Sequence, residues 1–576
     1  MAAPGYFRIG GTARAIAPNR WDVIVIPLIL CALALMFFGV HQAQAPLETI
    51  QSAEISLDPA NLPDYALRTI LRMLAGLVAS LVFTFIYGTL AAKSRRLEMV
   101  LVPILDILQS VPILGYISFT VVFFMSLFPG SVMGAELACV FAIFTSQAWN
   151  MTFSFYQSLR TVPHDLAEAA QSFHLGAWQR FWRLEVPFSM PGLIWNMMMS
   201  MSGAWFFVVA SEAITVGDKT ITLPGIGAYV ATAIDKGDLG AVGWSNVAII
   251  LVILLYDQLM FRPLVAWADK FRFEQTAAQV VPESWVLNLG RRARLLGAAL
   301  GPLGWIIHRI SMISLPAPKI AVPTSRGPSR ALDGVWFILV AILTAFCVVR
   351  VFDYVSATLN WSDLWLTLLL GLYTLIRVVV LIAIATVVWL PIGILIGLNP
   401  RLAEKIQPLA QFLAAYPANL VFPVASSFIL YFHLNVDVWL SPLIIMGTQW
   451  YILFNVIAGA TAFPTEMREA AKIFGVKGWM WWRKVGIPGV FPYFVTGAIT
   501  ASGGAWNASI VAEYIKWHDN TLEAHGIGAY IAEMTEKGDY PRIVLGIVVL
   551  SVIVLAFNRA FWRPVYQYAE RKLRLD

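Results

Sequence analysis

Twelve runs of mostly apolar residues divide this chain of 576 residues, and they leave little room for a water-soluble fold. A helix that crosses a bilayer needs about 20 such residues. Hydrophobic residues make up 59% of the sequence and charged residues 13%, against roughly 45–50% and about 25% in soluble domains. We therefore expect an all-α polytopic membrane protein, and this composition excludes a disordered chain and a disulfide-rich secreted domain.

The apolar runs predict six membrane spans in each half of the chain. They cover residues 23–40, 72–92, 101–128, 135–156, 192–216 and 243–261, and then 335–349, 370–396, 406–432, 438–457, 492–511 and 543–561. A cleaved signal peptide ending near Ala45 is the alternative for the first run, which is longer than a usual signal core.

Charges between the runs predict their orientation. Arg8, Arg14 and Arg20 precede the first run, whereas segment 41–65 contains four acids and no Lys or Arg. Positive flanks stay in the cytoplasm, so we expect both termini there. A linker, 263–330, carries nine Lys or Arg against three acids and separates a first unit, 1–262, from a second, 331–576. Within the linker, 291–313 is predicted to be an interfacial helix or a loosely ordered connector.

The two units repeat one sequence pattern. Thr69 and Arg72 match Thr374 and Arg377 at an offset of 305, and from Trp149 onward the offset is 301 without a gap. The pentapeptide Gly-Ile-Gly-Ala-Tyr occurs in both units, beginning at residues 225 and 526. Six spans per unit bring both units into the membrane in the same direction. We therefore expect two parallel six-helix repeats related by a pseudo-twofold axis along the membrane normal.

A polar loop with matched spacing lies between the fourth and fifth spans of each unit. Glu-Ala-Ala occupies 168–170 and 469–471, and a proline follows each glutamate at a distance of 19 residues. A single copy could be an amphipathic loop on the membrane surface, which its tryptophans would favour. Two copies in register favour a shared contact with a partner.

At these residues the chain resembles the permease subunits of ATP-binding-cassette importers. Their loop has a glycine six residues after the glutamate and a proline thirteen residues later. The second loop fits through Glu469, Gly475 and Pro488, whereas the first has His174 at the glycine position and Gly176 two residues later. The arginine of the second span, the prolines of the third and the repeated Gly-Ile-Gly are similar to the nitrate/sulfonate/taurine/bicarbonate type. The resemblance covers nearly the whole chain except the first twenty residues and the linker.

The resemblance implies a type I importer fold in which each loop forms a coupling helix that docks into a cleft of an ATPase subunit. Carried over, these helices cover about 164–176 and 465–476. The coupling residues would be Glu168, Ala169, Ala170, His174, Gly176, Glu469, Ala470, Ala471 and Gly475. The resemblance also implies two ATPase subunits that bind ATP and Mg, an external solute-binding protein, surrounding membrane lipids and a bacterial inner-membrane location. The implied solute is a small oxyanion or organosulfur compound.

The chain has no recognisable ATP-binding motif of its own. A phosphate-binding loop needs glycine directly before its lysine, and the nearest match, at 217–220, has Asp218 there. We therefore expect the chain itself to be no enzyme and to bind no cofactor. The three cysteines lie in separate apolar runs, which predicts no metal site. Basic residues do not gather on one polar domain, so we expect no nucleic-acid partner.

Polar side chains at membrane depth are the candidates for a transport pathway. Arg72 and Arg377 would pair across the axis as an anion-attracting gate, or else snorkel to the outer interface or pair with Glu212 and Glu513. The other candidates lie on the third and fifth spans: Gln109, Ser110, Tyr116, Ser211, Tyr416, Asn419, Asn507 and Ser509. Hydrogen bonds between helices are the alternative role for these.

Three other functions compete with an importer permease. An ion-coupled secondary transporter can also have twelve spans in parallel halves, but it gives no reason for paired polar loops. A membrane-embedded enzyme would need clustered His or carboxylates at depth, which seven scattered His do not supply. An exporter with long cytoplasmic helical extensions is disfavoured by the short loops.

Overall fold

The computed structural model describes residues 55–216, 219–271, 284–313, 330–461, 463 and 465–572. The predicted first span, 23–40, therefore lies outside the described residues, as does the first part of the 217–220 segment. The description below runs unit by unit.

The first unit is a succession of helices interrupted by one small hairpin. Its elements are α1 (Leu62–Lys93), α2 (Arg95–Ser110), α3 (Ile113–Leu127), α4 (Val132–Arg160), α5 (His164–Ser172), α6 (Ala177–Arg180), α7 (Val186–Ser211), β1 (Ala213–Val216), β2 (Lys219–Thr222), α8 (Ile226–Asp235), α9 (Leu239–Tyr256) and α10 (Arg262–Ala268). Linker residues 285–311 form α11 (Trp285–Arg292) and α12 (Arg294–Ser311). The linker is thus helical here, as the first of its two predicted alternatives requires.

The second unit repeats the order of the first. Its elements are α13 (Arg330–Ser356), α14 (Trp361–Gly397), α15 (Pro400–Ala415), α16 (Phe422–Tyr431), α17 (Val436–Trp439), α18 (Ser441–Met446), α19 (Gln449–Thr461), α20 (Thr465–Ile473), α21 (Gly478–Trp481), α22 (Ile487–Ala512), β3 (Tyr514–Trp517), β4 (Asn520–Glu523), α23 (Ile527–Lys537), α24 (Tyr540–Phe557) and α25 (Arg563–Lys572). Single turns of π-helix join α6 to α7 and α9 to α10, and their equivalents join α21 to α22 and α24 to α25.

The helices agree with the predicted spans. Among the described residues, eight helices are long and apolar enough to cross a membrane, and three bent helix pairs raise the number to 11. These 11 correspond to the predicted spans from the second onward. The all-α polytopic fold of the importer permeases is confirmed, with two short hairpins added to it.

The third span of each unit is broken, whereas the sequence predicted one continuous run. The axes of α2 and α3 differ by 94°, and α15 makes an angle of 70° with the helix that follows it. Proline disfavours the helical conformation of the residue before it. Val111 precedes Pro112 with ψ of 124°, and Tyr416 precedes Pro417 with ψ of 123°, so both chains turn at that point.

The predicted fifth span of the first unit was too long. It was expected to reach residue 216, but α7 ends at Ser211 and Ala213–Val216 is a β-strand. In this hairpin Ala213 pairs with Thr222 and Val216 with Lys219. The β-branched residues of the segment favour a strand, and the second unit has the same hairpin, with Tyr514 opposite Glu523.

Each unit packs around its second, fourth and fifth spans. Helix α4 lies between α1 and α7, and α19 lies in the same way against α14 and α22. Small residues allow close approach: a Cβ added at Gly76 would lie 2.5 Å from Ile143, and one at Gly393 would lie 2.7 Å from Val456. Such small-residue contacts drive helix packing where lipid removes the hydrophobic effect.

The two units meet through reciprocal contacts of their third and fifth spans. The amide of Ile113 donates to Oδ1 of Asn507 at 2.6 Å, and Nδ2 of Asn419 donates to the carbonyl of Phe206 at 3.3 Å. Because Phe206 is the equivalent of Asn507, these two contacts are related by the pseudo-twofold axis. The axis therefore passes between α7 and α22.

Candidate functional site

The two polar loops between the fourth and fifth spans fold in the same way. We call residues 164–180 the first coupling loop and residues 465–481 the second. Each begins with a helix of nine residues, α5 and α20. The helices end three to four residues before the predicted ends, at Ser172 and Ile473, because the residue two places later turns into the left-handed region.

His174 and Gly475 occupy that left-handed position. Their φ values are +50° and +66°. In the first loop the amide of Leu175 donates to the carbonyl of Ala170 at 3.1 Å, and in the second the amide of Val476 donates to that of Ala471 at 2.9 Å. This is the hydrogen-bond pattern with which helices end on a left-handed residue. The His174 departure from the family pattern therefore leaves the backbone of the loop unchanged.

Large apolar side chains point outward from both loops. Phe173 is 75% exposed and its equivalent, Phe474, is 81% exposed. Exposed aromatic side chains at a defined position are typical of protein interfaces, where they fill a pocket of the partner. These two residues were not among the coupling residues predicted from the sequence, although the repeat aligns them.

The Glu-Ala-Ala residues divide between the surface and the interior of the loop. Glu168 and Glu469 are exposed, and Glu168 lies 3.0 Å from Nδ1 of His164. Ala169 is exposed and Ala470 half-buried. Ala170 and Ala471 are buried, and their carbonyls accept the hydrogen bonds that close the loop end. Gly176 is half-buried and precedes α6.

Each coupling loop is joined to the centre of the protein by one continuous helical segment. Residues Ala177–Ser211 form a single span of 35 residues, and Gly478–Ala512 form its equivalent. At 1.5 Å per residue such a helix is about 50 Å long. Displacement of a loop would therefore move the far part of α7 or α22.

A cavity of about 70 Å³ lies between the two units where α7 and α22 meet. Its lining residues are Ser202, Gly203, Phe206, Phe207, Ala414, Tyr416, Ala418, Leu443, Ile444, Gly447, Thr448, Tyr451, Gly504, Asn507 and Ala508. None of them is charged. The hydroxyl of Thr448 is buried, and among the described residues it has no hydrogen-bond partner. The volume suffices for a few water molecules or a small ion.

Two predicted pathway residues line this cavity, and a third lies beside it. Tyr416 and Asn507 belong to the lining, and Tyr416 hydrogen-bonds Asn246 across the units. Asn419 donates to Phe206, while its own Oδ1 is buried and has no partner among the described residues. Thr448 and the lining residues other than Tyr416 and Asn507 were not predicted from the sequence. The one signal for them is the tripeptide Gly-Ala-Trp, which occurs at 203–205 and again at 504–506, where the fifth spans line the cavity.

The remaining pathway candidates lie elsewhere. Ser211 contacts Sγ of Cys139 at 3.1 Å, and Ser509 donates to the carbonyl of Trp506 at 2.9 Å, so both make helix contacts. Gln109 is exposed on α2, and Tyr116 is half-buried on α3. The side chain of Ser110 lies outside the described residues.

Arg72 and Arg377 do not pair across the axis. Arg72 is buried and binds Glu136 through two nitrogens, each at 2.7 Å, and Glu212 through Nη1 at 2.7 Å. Arg377 binds Glu513 at 3.0 Å and, through Nη2, Asp437 at 2.7 Å; Asp437 is the equivalent of Glu136. Of the predicted alternatives, the structure therefore has the pairing with Glu212 and Glu513. It does not have the cross-axis pairing on which an arginine gate would depend.

The repeated Gly-Ile-Gly segment completes these buried ion pairs. The amide of Gly227 donates to Glu212 at 2.7 Å, and a Cβ at Gly225 would lie 2.3 Å from the same carboxylate. In the second unit the amide of Gly528 donates to Glu513 at 2.9 Å, and a Cβ at Gly526 would lie 2.2 Å away. Glycine is thus required where the backbone closes on the carboxylate. The cluster links the second span to the hairpin and the following helix.

The hairpin of the second unit carries an ion pair outside the spans. The hydroxyl of Tyr514 donates to Glu536 at 2.8 Å, and Lys516 pairs with the other oxygen of the carboxylate. Burial alone would raise the pKa of Glu536, but the hydrogen bonds from Lys516 and Tyr514 outweigh it and hold this pKa below its ordinary value. The same hairpin reaches the first unit, since the amide of His518 donates to the carbonyl of Ile234 at 3.1 Å.

Comparison with known proteins finds one family twice along the chain. Residues 84–262 and again residues 390–573 match the binding-protein-dependent transport system inner membrane component. The two matches together cover more than half of the chain, and each includes one coupling loop.

Individual relatives match over about a third of the chain. The bicarbonate transport system permease protein CmpB of Synechococcus elongatus is 27% identical over 186 residues, which are 32% of this chain and 64% of the relative. The glycine betaine/carnitine transport permease protein GbuB of Listeria monocytogenes is 28% identical, over 33% of this chain and 63% of the relative. The nitrate import permease protein NrtB of Synechocystis is 24% identical, over 34% and 70%. The chain thus spans less than two thirds of the length of the first two.

Proposed function

The chain belongs to the family of binding-protein-dependent transport system inner membrane components, and we propose that it forms both halves of the membrane part of an ATP-driven importer. It carries two permease units fused in one chain, so a single copy would supply both halves of the translocation pathway. The proposed division is a first unit, 1–262, a basic linker, 263–330, and a second unit, 331–576.

The observation that carries this proposal is the pair of coupling loops. Both have the same helix, the same left-handed end and an exposed phenylalanine at the same position. One ATPase subunit would dock on each loop, with Phe173 and Phe474 inserted into its surface. ATP and Mg would be bound by those two subunits, and the chain itself would supply neither catalysis nor a cofactor site.

The central cavity supports a pathway between the units. Residues of both fifth spans line it, and its volume is about 70 Å³. We infer that closure of the two ATPases draws the coupling loops together and that the long segments α6–α7 and α21–α22 carry this motion to the cavity. Rigid-body rocking of two repeats around a central site is a known form of alternating access.

The solute would be small and would be selected by neutral groups. The relatives are named for bicarbonate, nitrate and betaines, and we propose a small oxyanion or organosulfur compound for this chain. The lining offers hydroxyls and an amide and has no charged side chain, so hydrogen-bond donors would replace the water around an anion. An external solute-binding protein would deliver it, at the outer face of a bacterial inner membrane, with both termini of the chain in the cytoplasm.

The test is uptake by membrane vesicles. The vesicles come from cells that produce the chain together with the ATPase and the solute-binding protein that are encoded by neighbouring genes. Labelled nitrate, bicarbonate and a sulfonate serve as probes, and uptake is measured with and without ATP and with ionophores. We expect uptake that requires ATP and persists when ionophores collapse the ion gradients. Uptake that needs no ATP and stops with the ionophores would support the ion-coupled secondary transporter instead.

A further inference from the structure

The linker helix α12 ends against the first coupling loop. Nε1 of Trp178 donates to the carbonyl of Ile310 at 2.7 Å, and Nε2 of Gln179 donates to the carbonyl of Met312 at 3.0 Å. Carbonyl groups at the end of a helix lack partners within the helix and are stabilised by donors from outside. Two side chains of the first coupling loop therefore cap the linker.

Among the described residues, the second coupling loop has no equivalent pair of hydrogen bonds to a linker helix. We call the pair in the first loop, from Trp178 and Gln179, the tie. Trp479 occupies the position of Trp178 and is 75% exposed. Met480 occupies the position of Gln179 and has no N–H with which to donate. The two loops therefore share a nine-residue helix and its left-handed end, but they differ in the contacts that hold them, and this difference follows from the single linker of the fused chain.

The linker helices expose apolar and basic groups together. Trp305, Ile306 and Ile313 are 51%, 46% and 46% exposed. Arg309 lies over the ring of Trp305, 5.2 Å from its centre, and Arg291 is exposed at the end of α11. Apolar residues with a tryptophan and arginines on one helix are the composition of helices that lie in a membrane interface.

We propose that α11 and α12 lie on the membrane surface and bind anionic phospholipid, and that Trp178 and Gln179 thereby fix the first coupling loop to the membrane. Charge complementarity supports this occupant, because residues 263–330 carry nine Lys or Arg against three acids. Helix α11 packs against α10, the continuation of the sixth span, which holds the linker near the ends of the spans. Neither the lipid contact nor the hydrogen bonds from Trp178 and Gln179 to the linker rest on the proposed function.

Hydrogen–deuterium exchange of the whole chain in nanodiscs tests both parts without any ATPase. One set of discs contains phosphatidylcholine alone and the other phosphatidylcholine with phosphatidylglycerol. We expect the anionic discs to slow exchange in 294–313 and in the first coupling loop and to leave the second loop unchanged. Arg291→Gln and Arg309→Gln are each expected to weaken this effect about fivefold, since one basic residue near an anionic surface contributes about 1 kcal/mol.

The double variant Trp178→Phe with Gln179→Met separates the tie from the lipid contact. It gives the first loop donor-free side chains like that of Met480, and Trp479→Phe is its matched control in the second unit. We expect 294–313 to stay lipid-sensitive in the double variant while the first loop loses its response. The control is expected to behave as the wild type.

Three results would overturn the inference. Equal exchange of 294–313 in both kinds of disc would remove the lipid contact, and equal lipid responses of the two loops would remove the tie. Protection of 294–313 that appears only when an ATPase is added, in either lipid, would assign the helix to a protein partner. Because the experiment contains no ATPase until that last step, each result is independent of whether the chain is an importer.

Discussion

Replacing His174 with glycine is expected to stabilise the first coupling loop. His174 has φ of +50°, and Gly475 has φ of +66° at the equivalent position. A left-handed conformation costs a residue with a Cβ about 1–2 kcal/mol. Glycine has greater conformational freedom in the unfolded chain, and this lowers the free energy of unfolding by about 0.5–1 kcal/mol. The balance is a stabilisation of about 0.5–1 kcal/mol for His174→Gly.

The second loop supplies the reciprocal change. A Cβ added at Gly475 would meet no atom within 4 Å, so Gly475→Ala introduces no clash and only the backbone cost remains. We expect it to destabilise the second loop by about as much as His174→Gly stabilises the first. The two variants thus test one physical cause in opposite directions within one chain.

Exchange rates of the amides at Leu175 and Val476 report these changes, since both donate the bonds that close the helix end. A change of 1 kcal/mol corresponds to about a fivefold change in the opening equilibrium. We expect exchange at Leu175 to slow by about two- to fivefold in His174→Gly and exchange at Val476 to quicken similarly in Gly475→Ala. Faster exchange at Leu175 in His174→Gly, or no change in either variant, would refute the left-handed assignment.

Three further changes test other parts of the structure. Gly225→Ala places a methyl group on the buried Glu212 carboxylate, and we expect the melting temperature in detergent to fall, for a loss of about 3 kcal/mol; an unchanged melting temperature would contradict that packing. Thr448→Val removes a cavity hydroxyl that has no hydrogen-bond partner in the described part of the chain, so stability should be kept while uptake falls several-fold. Ser426→Ala removes a buried hydroxyl outside the cavity lining that likewise has no partner among the described residues, and it should leave uptake unchanged. Because the folded-state pKa of Glu536 is depressed, its stabilisation is present above about pH 4.3 and is lost below it; the protection factors of the hairpin amides, which correct for the intrinsic exchange rate at each pH, should fall only there, and Glu536→Gln should abolish this dependence.

Much of the fold was predictable because its signals are local or repeated. Apolar runs located the spans, and the constant offset paired the units and aligned both coupling helices. The hairpin at 213–222 was not predictable in this way, since four apolar or β-branched residues that follow a span read as its continuation. The break before Pro112 was marked by the proline itself, but its angle of 94° was not, because α3 packs against α4 and against helices of the second unit that are distant in sequence.

The candidate site was predictable only in part. Its backbone pattern, Glu-Ala-Ala followed by a left-handed residue, is written in neighbouring residues. The partners of Arg72 are not: Glu212, 140 residues away, was only one of several predicted alternatives, and Glu136, 64 residues away, was not predicted as a partner. The contact of Trp178 with Ile310 spans 132 residues and has no equivalent among the described residues of the second unit, so the repeat could not indicate it.

The stoichiometry of the purified complex tests whether the ATPase subunits bind to the two coupling loops. Three tagged chains are purified in parallel, and the co-purified ATPase is quantified: the wild type, the double variant Phe173→Ala with Phe474→Ala, and the control Phe432→Ala. The control removes another exposed phenylalanine. Truncation of an interface anchor costs about 2 kcal/mol or more, which is about 30-fold in affinity per loop. We expect two ATPase subunits per wild-type and control chain and almost none on the double variant. Two subunits retained by the double variant, or none on the wild type, would contradict the account.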